Sequence, residues 1–153
     1  MKIILPEKTS IKIIEALKKA GVKEVGGILL GEHISDNEFL ICDVTIQKAR
    51  GGFAFFERVI KDIIEPLKRF FAQTRQNYKR FNYLGEWHSH PNFNLQPSLT
   101  DHSTMEELIG DEDFVGNFVV LMIVKLNLQN KLDGIIMVYQ KAANPYLGEL
   151  IIR

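Results

Sequence analysis

A single cysteine, Cys42, stands in the 153-residue chain. That excludes an intramolecular disulfide and any all-cysteine zinc site, and leaves Cys42 as a small apolar filler for a strand. Neither sign of charge dominates: 19 basic residues meet 19 acidic ones, so no global field exists for gripping nucleic acid or an anionic membrane. Long apolar runs are missing too. The longest, FVVLMIV at 118–124, falls far short of the about 20 residues a membrane-spanning helix needs. The opening MKIILPEKTS has a basic residue and a brief apolar run, but Pro6 and Glu7 end it too early for a secretion signal. Repeats, linkers and low-complexity tracts are also absent. These absences lead to the expectation of a soluble, cytoplasmic, single-domain protein that uses neither nucleic acid nor membrane as a partner. Its length suffices for one sizeable core.

The apolar pattern that is present alternates between two periods. MKIIL reads as a strand. From 7 to 20 a helical period follows, with Ile11, Ile14 and Leu17 at three-residue steps, Ile13 and Ala20 beside them, and Gly21 as the stop. EVGGILLGEHI (24–34) and FLICDVTIQ (39–47) read as two strands joined by the turn residues SDNE, a hairpin. GGFAFF (51–56) breaks that pattern and begins a connection. From 57 to 80 comes the strongest helical stripe: Val59, Ile60, Ile63, Ile64, Leu67, Phe70, Phe71, Thr74 and Tyr78. Pro66 lies inside it and is expected to kink or divide the helix. NYLGEWHSH (82–90) returns to strand, PNFNLQP is a loop, and SLTDHSTMEELIG opens with good capping residues and reads as a helix. Two strands joined near QNK, NFVVLMIVKLN and LDGIIMVYQ, precede a last strand, GELIIR. Hairpins beside helical crossovers point to an α/β or α+β domain built on a single mixed β-sheet flanked by helices.

The chemistry-bearing stretch is GEWHSHP, residues 85–91. Residues two apart in a strand project to the same face, so His88 and His90 can present both imidazoles to one point. Eight residues beyond His90 stands Ser98, and three beyond that Asp101, in the first turn of the next helix. Two neutral imidazoles and a carboxylate form a ligand set that suits zinc, and three protein ligands rather than four leave a position open for water, as in catalytic sites. Capping alone accounts for Ser98, and the helix dipole suits Asp101. Neither explains both histidines. From the residues alone Glu24 reads as a solvated charge at a strand entrance, Glu86 as an unassigned neighbour on the histidines' face, and His33 and His102 as surface residues. Gly26 and Gly27 are either ordinary strand glycines or points of close backbone approach.

His88-x-His90-x7-Ser98-x2-Asp101 resembles the zinc motif of the JAMM metalloproteases, also called JAB or MPN+ domains. Glu24 in KEVGGILLG matches the upstream glutamate of that family, and the wording GEWHSHP is similar to the compact prokaryotic JAB peptidases, including those encoded beside ubiquitin-like conjugation components and in antiphage operons. The likeness runs from Glu24 to the final strands. It implies a JAB/MPN fold similar to the cytidine-deaminase-like architecture over residues 1–153. It further implies one Zn2+ per chain held by His88, His90 and Asp101, with Glu24 as the base that takes water's proton and the acid that returns it to the leaving amine. Ser98 becomes a hydroxyl for stabilising the oxyanion. The implied substrate is a ubiquitin-like protein or its conjugate, cut after its C-terminus by an isopeptidase (deubiquitinase-like) hydrolase, with E1/E2-like proteins encoded nearby as further partners. GGFAFF reads either as connection aromatics or as part of a groove for the substrate tail.

Rival classes stay open at this stage. One is a small-peptide zinc amidase, and another is a non-catalytic scaffold of the same fold. Arg58, Lys61, Lys68, Arg69, Arg75, Lys79 and Arg80 suggest nucleic-acid binding, but Glu57, Asp62 and Glu65 dilute them and a solvated helix face is the simpler account. HExxH, P-loop and GxGxxG motifs are absent, and one cysteine cannot supply the ligands of a nucleobase deaminase.

Overall fold

The computed structural model describes the backbone of residues 1–48 and 55–153, and the side chains of all of these except residues 48 and 55–63. Among the described residues the chain forms eight strands and three helices. In order they are β1 (Lys2–Leu5), α1 (Glu7–Ala20), β2 (Val25–Ser35), β3 (Glu38–Val44), β4 (Gln47–Lys48), α2 (Phe55–Gln73), β5 (Phe81–Ser89), α3 (Leu99–Gly110), β6 (Phe118–Leu126), β7 (Leu132–Gln140) and β8 (Tyr146–Ile152). None of these helices is long and apolar enough to cross a membrane.

The mixed α+β expectation holds, but the sheet is not an open one. Its strand order is β3-β1-β8-β7-β6-β5-β2-β4, and β2 also pairs with β3. That extra pairing closes seven strands into a barrel, with β4 left beside β2. Closure follows from the length of β2, whose 11 residues bond β5 along one edge and β3, then β4, along the other. The β2–β3 hairpin forms as expected, with Asn37 in its turn at φ 59°. Thr45 interrupts the expected 39–47 strand. Its hydroxyl takes the Ile28 N–H at 2.9 Å in place of its carbonyl, which takes the Trp87 indole N–H at 3.0 Å, while its own N–H still donates to the Ile28 carbonyl at 3.1 Å.

Strand parity sorts two apolar layers. Val120, Met122 and Val124 of β6 join Ile3, Leu5, Val25, Leu29, Trp87 and the α1 residues Ile13 and Leu17 in the largest core cluster. The alternate residues Val119, Leu121 and Ile123 pack with Met105 and Ile109 of α3. Ile28 and Leu30 of β2 meet Phe70 of α2. Thus α1 lies against one face of the sheet, and α2 and α3 against the other. In α1 the inward stripe is Ser10, Ile13 and Leu17, whereas Ile11 is exposed. The helix stops at Gly21, φ 63°, as its sequence suggests.

Helix α2 departs from its expected bounds. It runs unbroken past Pro66 and ends at Gln73 instead of near 80. The proline ring costs one backbone hydrogen bond, and burial of Phe70 with Leu67 and Phe71 against β2 offsets it. Past Gln73 the chain turns through left-handed backbone at Arg75 and Gln76, and the Gln76 N–H closes the helix end on the Phe71 carbonyl at 2.8 Å. The connection expected at GGFAFF falls largely outside the described residues, as do the side chains of Arg58, Val59, Ile60, Lys61 and Ile63.

A bulge in β5 prepares the site. Leu29 pairs with Gly85 but Leu30 pairs with Tyr83, so Leu84 is an extra residue. Leu84 and Trp87, three apart, therefore share the interior cluster. Gly85 adopts φ 148°, and a Cβ there would stand 1.9 Å from the Val120 carbonyl oxygen. Gly85→Ala should accordingly destabilise the protein by about 3 kcal/mol or more in urea titration, since both conformation and space forbid the methyl group. Gly110→Ala, where a Cβ meets nothing within 4 Å, should change stability by less than about 1 kcal/mol.

Candidate metal centre

Strand β5 runs parallel to β6, pairing Glu86 with Leu121 and His88 with Ile123. Residues directly paired across a ladder share a face, so Glu86 and His88 project to the α3 side with Leu121 and Ile123. His90 follows the strand end, its N–H bonded to the Val124 carbonyl at 2.9 Å. The sequence expectation for Asp101 also holds: it is the third residue of α3, behind the N-cap Ser98.

These elements bring three side chains to one place. One ligand atom each from His88, His90 and Asp101 lie within 4.8 Å of one another. The two Nε2 atoms are 3.0 Å apart, His88 Nε2 is 3.6 Å from Asp101 Oδ1, and His90 Nε2 is 4.0 Å from Asp101 Oδ2. Ligands bound at about 2.1 Å in a tetrahedron stand roughly 3.4 Å apart, and the observed separations straddle that value. The donor set fits as well. His90 Nδ1 faces the Asn94 carbonyl at 3.0 Å; a carbonyl only accepts, so Nδ1 carries the proton and Nε2 presents its lone pair. Burial lowers the His88 pKa against the opposing pull of Asp101, favouring the neutral ring a metal requires.

Asp101 is fixed before any ion is considered. Its Oδ2 accepts from the Ser98 N–H and the Ser98 hydroxyl, both at 2.7 Å, and Ser98 Oγ accepts the Asp101 N–H at 3.1 Å. This reciprocal capping box satisfies the first turn of α3 and leaves Oδ1 directed toward His88. Capping therefore accounts for the position of Ser98, whose hydroxyl proton is committed to Asp101 here.

Glu24 is exposed, one residue before β2, and is not among the three converging ligands. Its neighbours tie it to this end of the sheet: the Val25 N–H donates to Ser89 Oγ at 3.0 Å, and Gly26 pairs with His88. The glycine pair permits close approach. A Cβ on Gly27 would lie 2.1 Å from the Thr45 carbonyl oxygen, and one on Gly26 only 2.4 Å from that of Trp87.

Two residues acquire an importance that the sequence alone did not give them. Glu86 is buried, and desolvation, with the Asp101 charge second, pushes its pKa up to about 7. His102 is half-buried rather than on the surface, with Nδ1 2.9 Å from the hydroxyl of the fully buried Tyr139. Its signal was present in sequence, because His102, Met105 and Ile109 have the spacing of one helix face. His33 is exposed and stacks on Phe39.

A mixed barrel carrying a His-His-Asp cluster on its outer face defines a candidate metalloprotein. The profile of the family described as prokaryotic homologs of the JAB domain matches residues 6–135, and the chain belongs to that family. A protein named CD-NTase/cGAS isopeptidase from Enterobacter hormaechei subsp. hoffmannii (strain UCI 50) is 30% identical over 115 residues, 73% of this chain and 61% of the relative. A protein of the same name from Vibrio cholerae serotype O1 (strain ATCC 39315 / El Tor Inaba N16961) is 29% identical over 93 residues, 60% of this chain and 58% of the relative. The matches thus span about three fifths of each relative's length. Among solved structures, protein DSY2949 from Desulfitobacterium hafniense superposes with a TM-score of 0.66 at 17% identity, covering 99% of this chain and 92% of that one, a likeness of fold.

The capping geometry yields a direct test. Ser98→Ala should lower stability by about 1 kcal/mol in chemical denaturation, the usual cost of losing an N-cap side chain.

Proposed function

We propose that residues 1–153 act as one zinc-dependent metallopeptidase domain of the JAMM (JAB/MPN+) type, with the fold of that family. In this reading it hydrolyses the amide bond after the C-terminus of a ubiquitin-like modifier or conjugate. The carrying observation is the convergence of His88, His90 and Asp101 ligand atoms within 4.8 Å, in a chain of the JAB family. A zinc ion held there supplies Lewis acidity at the scissile carbonyl and lowers the pKa of a coordinated water to about 7.

The remaining work falls to the chain. Glu24 takes a proton from the attacking water as its oxygen bonds to the carbonyl carbon, and returns a proton to the nitrogen as the C–N bond breaks. Ser98 holds Asp101 in the resting site; to stabilise the developing oxyanion, its hydroxyl must turn away from Asp101 Oδ2. Trp87 and Ser89, on the opposite parity from His88, lock β5 to Thr45 and Val25 and keep the two imidazoles from rotating as a unit.

The substrate class rests on the relatives named CD-NTase/cGAS isopeptidase. An isopeptide joins a C-terminal carbonyl to a side-chain amine, so the bound substrate must bring an extended tail to the metal. Such tails are commonly laid along a strand edge. Here the edge strand nearest the site is β4, which pairs with Val25 and Gly26 and is one strand removed from His88. E1/E2-like proteins encoded nearby would be the natural suppliers of such a conjugate.

Purified protein should contain about one zinc per chain by elemental mass spectrometry and cleave a ubiquitin-like protein fused through its tail to a reporter. His88→Ala should lose both properties. Glu24→Gln should keep its zinc and lose at least about a hundredfold in turnover, as expected for a missing general base. If Glu24→Gln cleaved at the wild-type rate, another group would be moving the proton. Zinc content and turnover should both fall as the solution is made acid, where protons compete with the metal for the two imidazoles; the lowered pKa of His88 delays that loss toward lower pH.

A further inference from the structure

Helix α3 presents only two buried apolar residues to the sheet, Met105 and Ile109, and both belong to its later turns. The first turn, which carries Asp101, has little apolar attachment: Leu99 is 89% exposed, and Thr100 and Ser103 also face solvent. The position on the Met105–Ile109 face that lies within this turn belongs to His102. Its Nδ1 meets the hydroxyl of Tyr139 at 2.9 Å, and the two rings are edge to face with centroids 5.8 Å apart. Tyr139 is on β7, 0% exposed, and paired with Val119 of β6, so its hydroxyl is a fixed point of the sheet. His88 stands on β5, the other neighbour of β6.

We propose that the His102–Tyr139 hydrogen bond is the positioning device for Asp101, holding the first turn of α3 at the height and rotation over β5–β6–β7 that sets the carboxylate opposite His88 and His90. His102 is then a positioning residue; it acts through Asp101, its neighbour in sequence. The physical reason is leverage. The capping box fixes the Asp101 carboxylate to Ser98, which is on the same helix turn, so it cannot fix that turn relative to the sheet. Met105 and Ile109 anchor the helix only from its second turn onward. Leu95 packs on the same cluster from the loop before α3, but among the described residues the side-chain hydrogen bond that ties the Asp101-bearing turn itself to the sheet is the one made by His102. Because a buried phenol must keep a partner, that contact is also directional, which an apolar side chain at position 102 would not be.

The inference rests on the metal reading above, and the test separates the two. Zinc affinity of metal-stripped protein is measured by competition with a chromophoric chelator for wild type, His88→Ala, Tyr139→Phe, His102→Leu, the Tyr139→Phe/His102→Leu double variant and His102→Asn. In parallel, amide hydrogen exchange of residues 99–102 is followed without metal. Tyr139→Phe and His102→Leu each keep the packing but not the hydrogen bond. Each should bind zinc about tenfold more weakly and exchange faster in the first turn, in the range known for supporting partners of metal ligands. The double variant should be no weaker than the worse single one, because both remove the same bond. His102→Asn, which keeps a hydrogen-bonding atom near the place of Nδ1, should recover most of the affinity. Wild-type affinity in both bond-deleting variants, with or without faster exchange, would overturn the proposal while leaving the metal reading intact. A wild type that binds zinc no better than His88→Ala would overturn both.

Discussion

Everything at the candidate metal centre depends on which way β5 faces. One extra residue, Leu84, lets the strand bury Leu84 and Trp87 on the α1 side while Glu86 and His88 emerge on the α3 side. Without it, perfect alternation would set Leu84 and Trp87 on opposite faces, with one of them lost from the interior cluster. The close approach of Gly85 to Val120 is the local consequence of that added residue. The parallel pairing with β6 then carries the same parity across to Leu121 and Ile123, over which α3 lies. A strand irregularity of one residue thus decides whether the two imidazoles face the carboxylate.

The carboxylate serves two structures at once. Oδ2 closes the capping box of α3, and Oδ1 looks toward His88. A capping interaction holds its acceptor in place by two donors from Ser98, so the carboxylate is already oriented toward the histidines. The electrostatic setting is equally economical. Burial disfavours the charged form of His88, and burial with the nearby Asp101 disfavours the charged form of Glu86. The formal charges on this face therefore overstate the charge it carries near neutrality in the metal-free protein.

Much of the site was legible because its information is local. His88 and His90 two apart, and Ser98 and Asp101 three apart at a helix start, are patterns fixed by backbone periodicity; the second is realised as read, and the first places His90 just past the end of β5, where its N–H still bonds β6 and the two imidazoles converge. The hairpin and helix α1 were legible for the same reason. Closure of the sheet was not, because it depends on the edge pairing of β2 with β3 persisting while β2 also bonds β5, a matter of sheet curvature. The early end of α2 escaped notice since Arg75 and Gln76, unlike glycine, do not announce left-handed backbone. His102 and Glu86 were undervalued for one shared reason. A polar residue on an inward face can be distinguished from a solvated one only when the packing over it is known.

The ring of seven strands has a consequence for how the protein meets other copies of itself. In an open sheet two terminal strands display rows of unsatisfied amides and carbonyls, an invitation to chain-to-chain zippering. Here each ring strand has a neighbour on either side, and among the described residues the strand added outside the ring, Gln47–Lys48, is only two residues long. Such a ring offers intruding backbones few templates, and among the described residues the short outer edge of β4 beside the candidate site is the exception. A concentrated solution of this protein should resist the growth of ordered fibrils for reasons that lie in topology rather than in net charge.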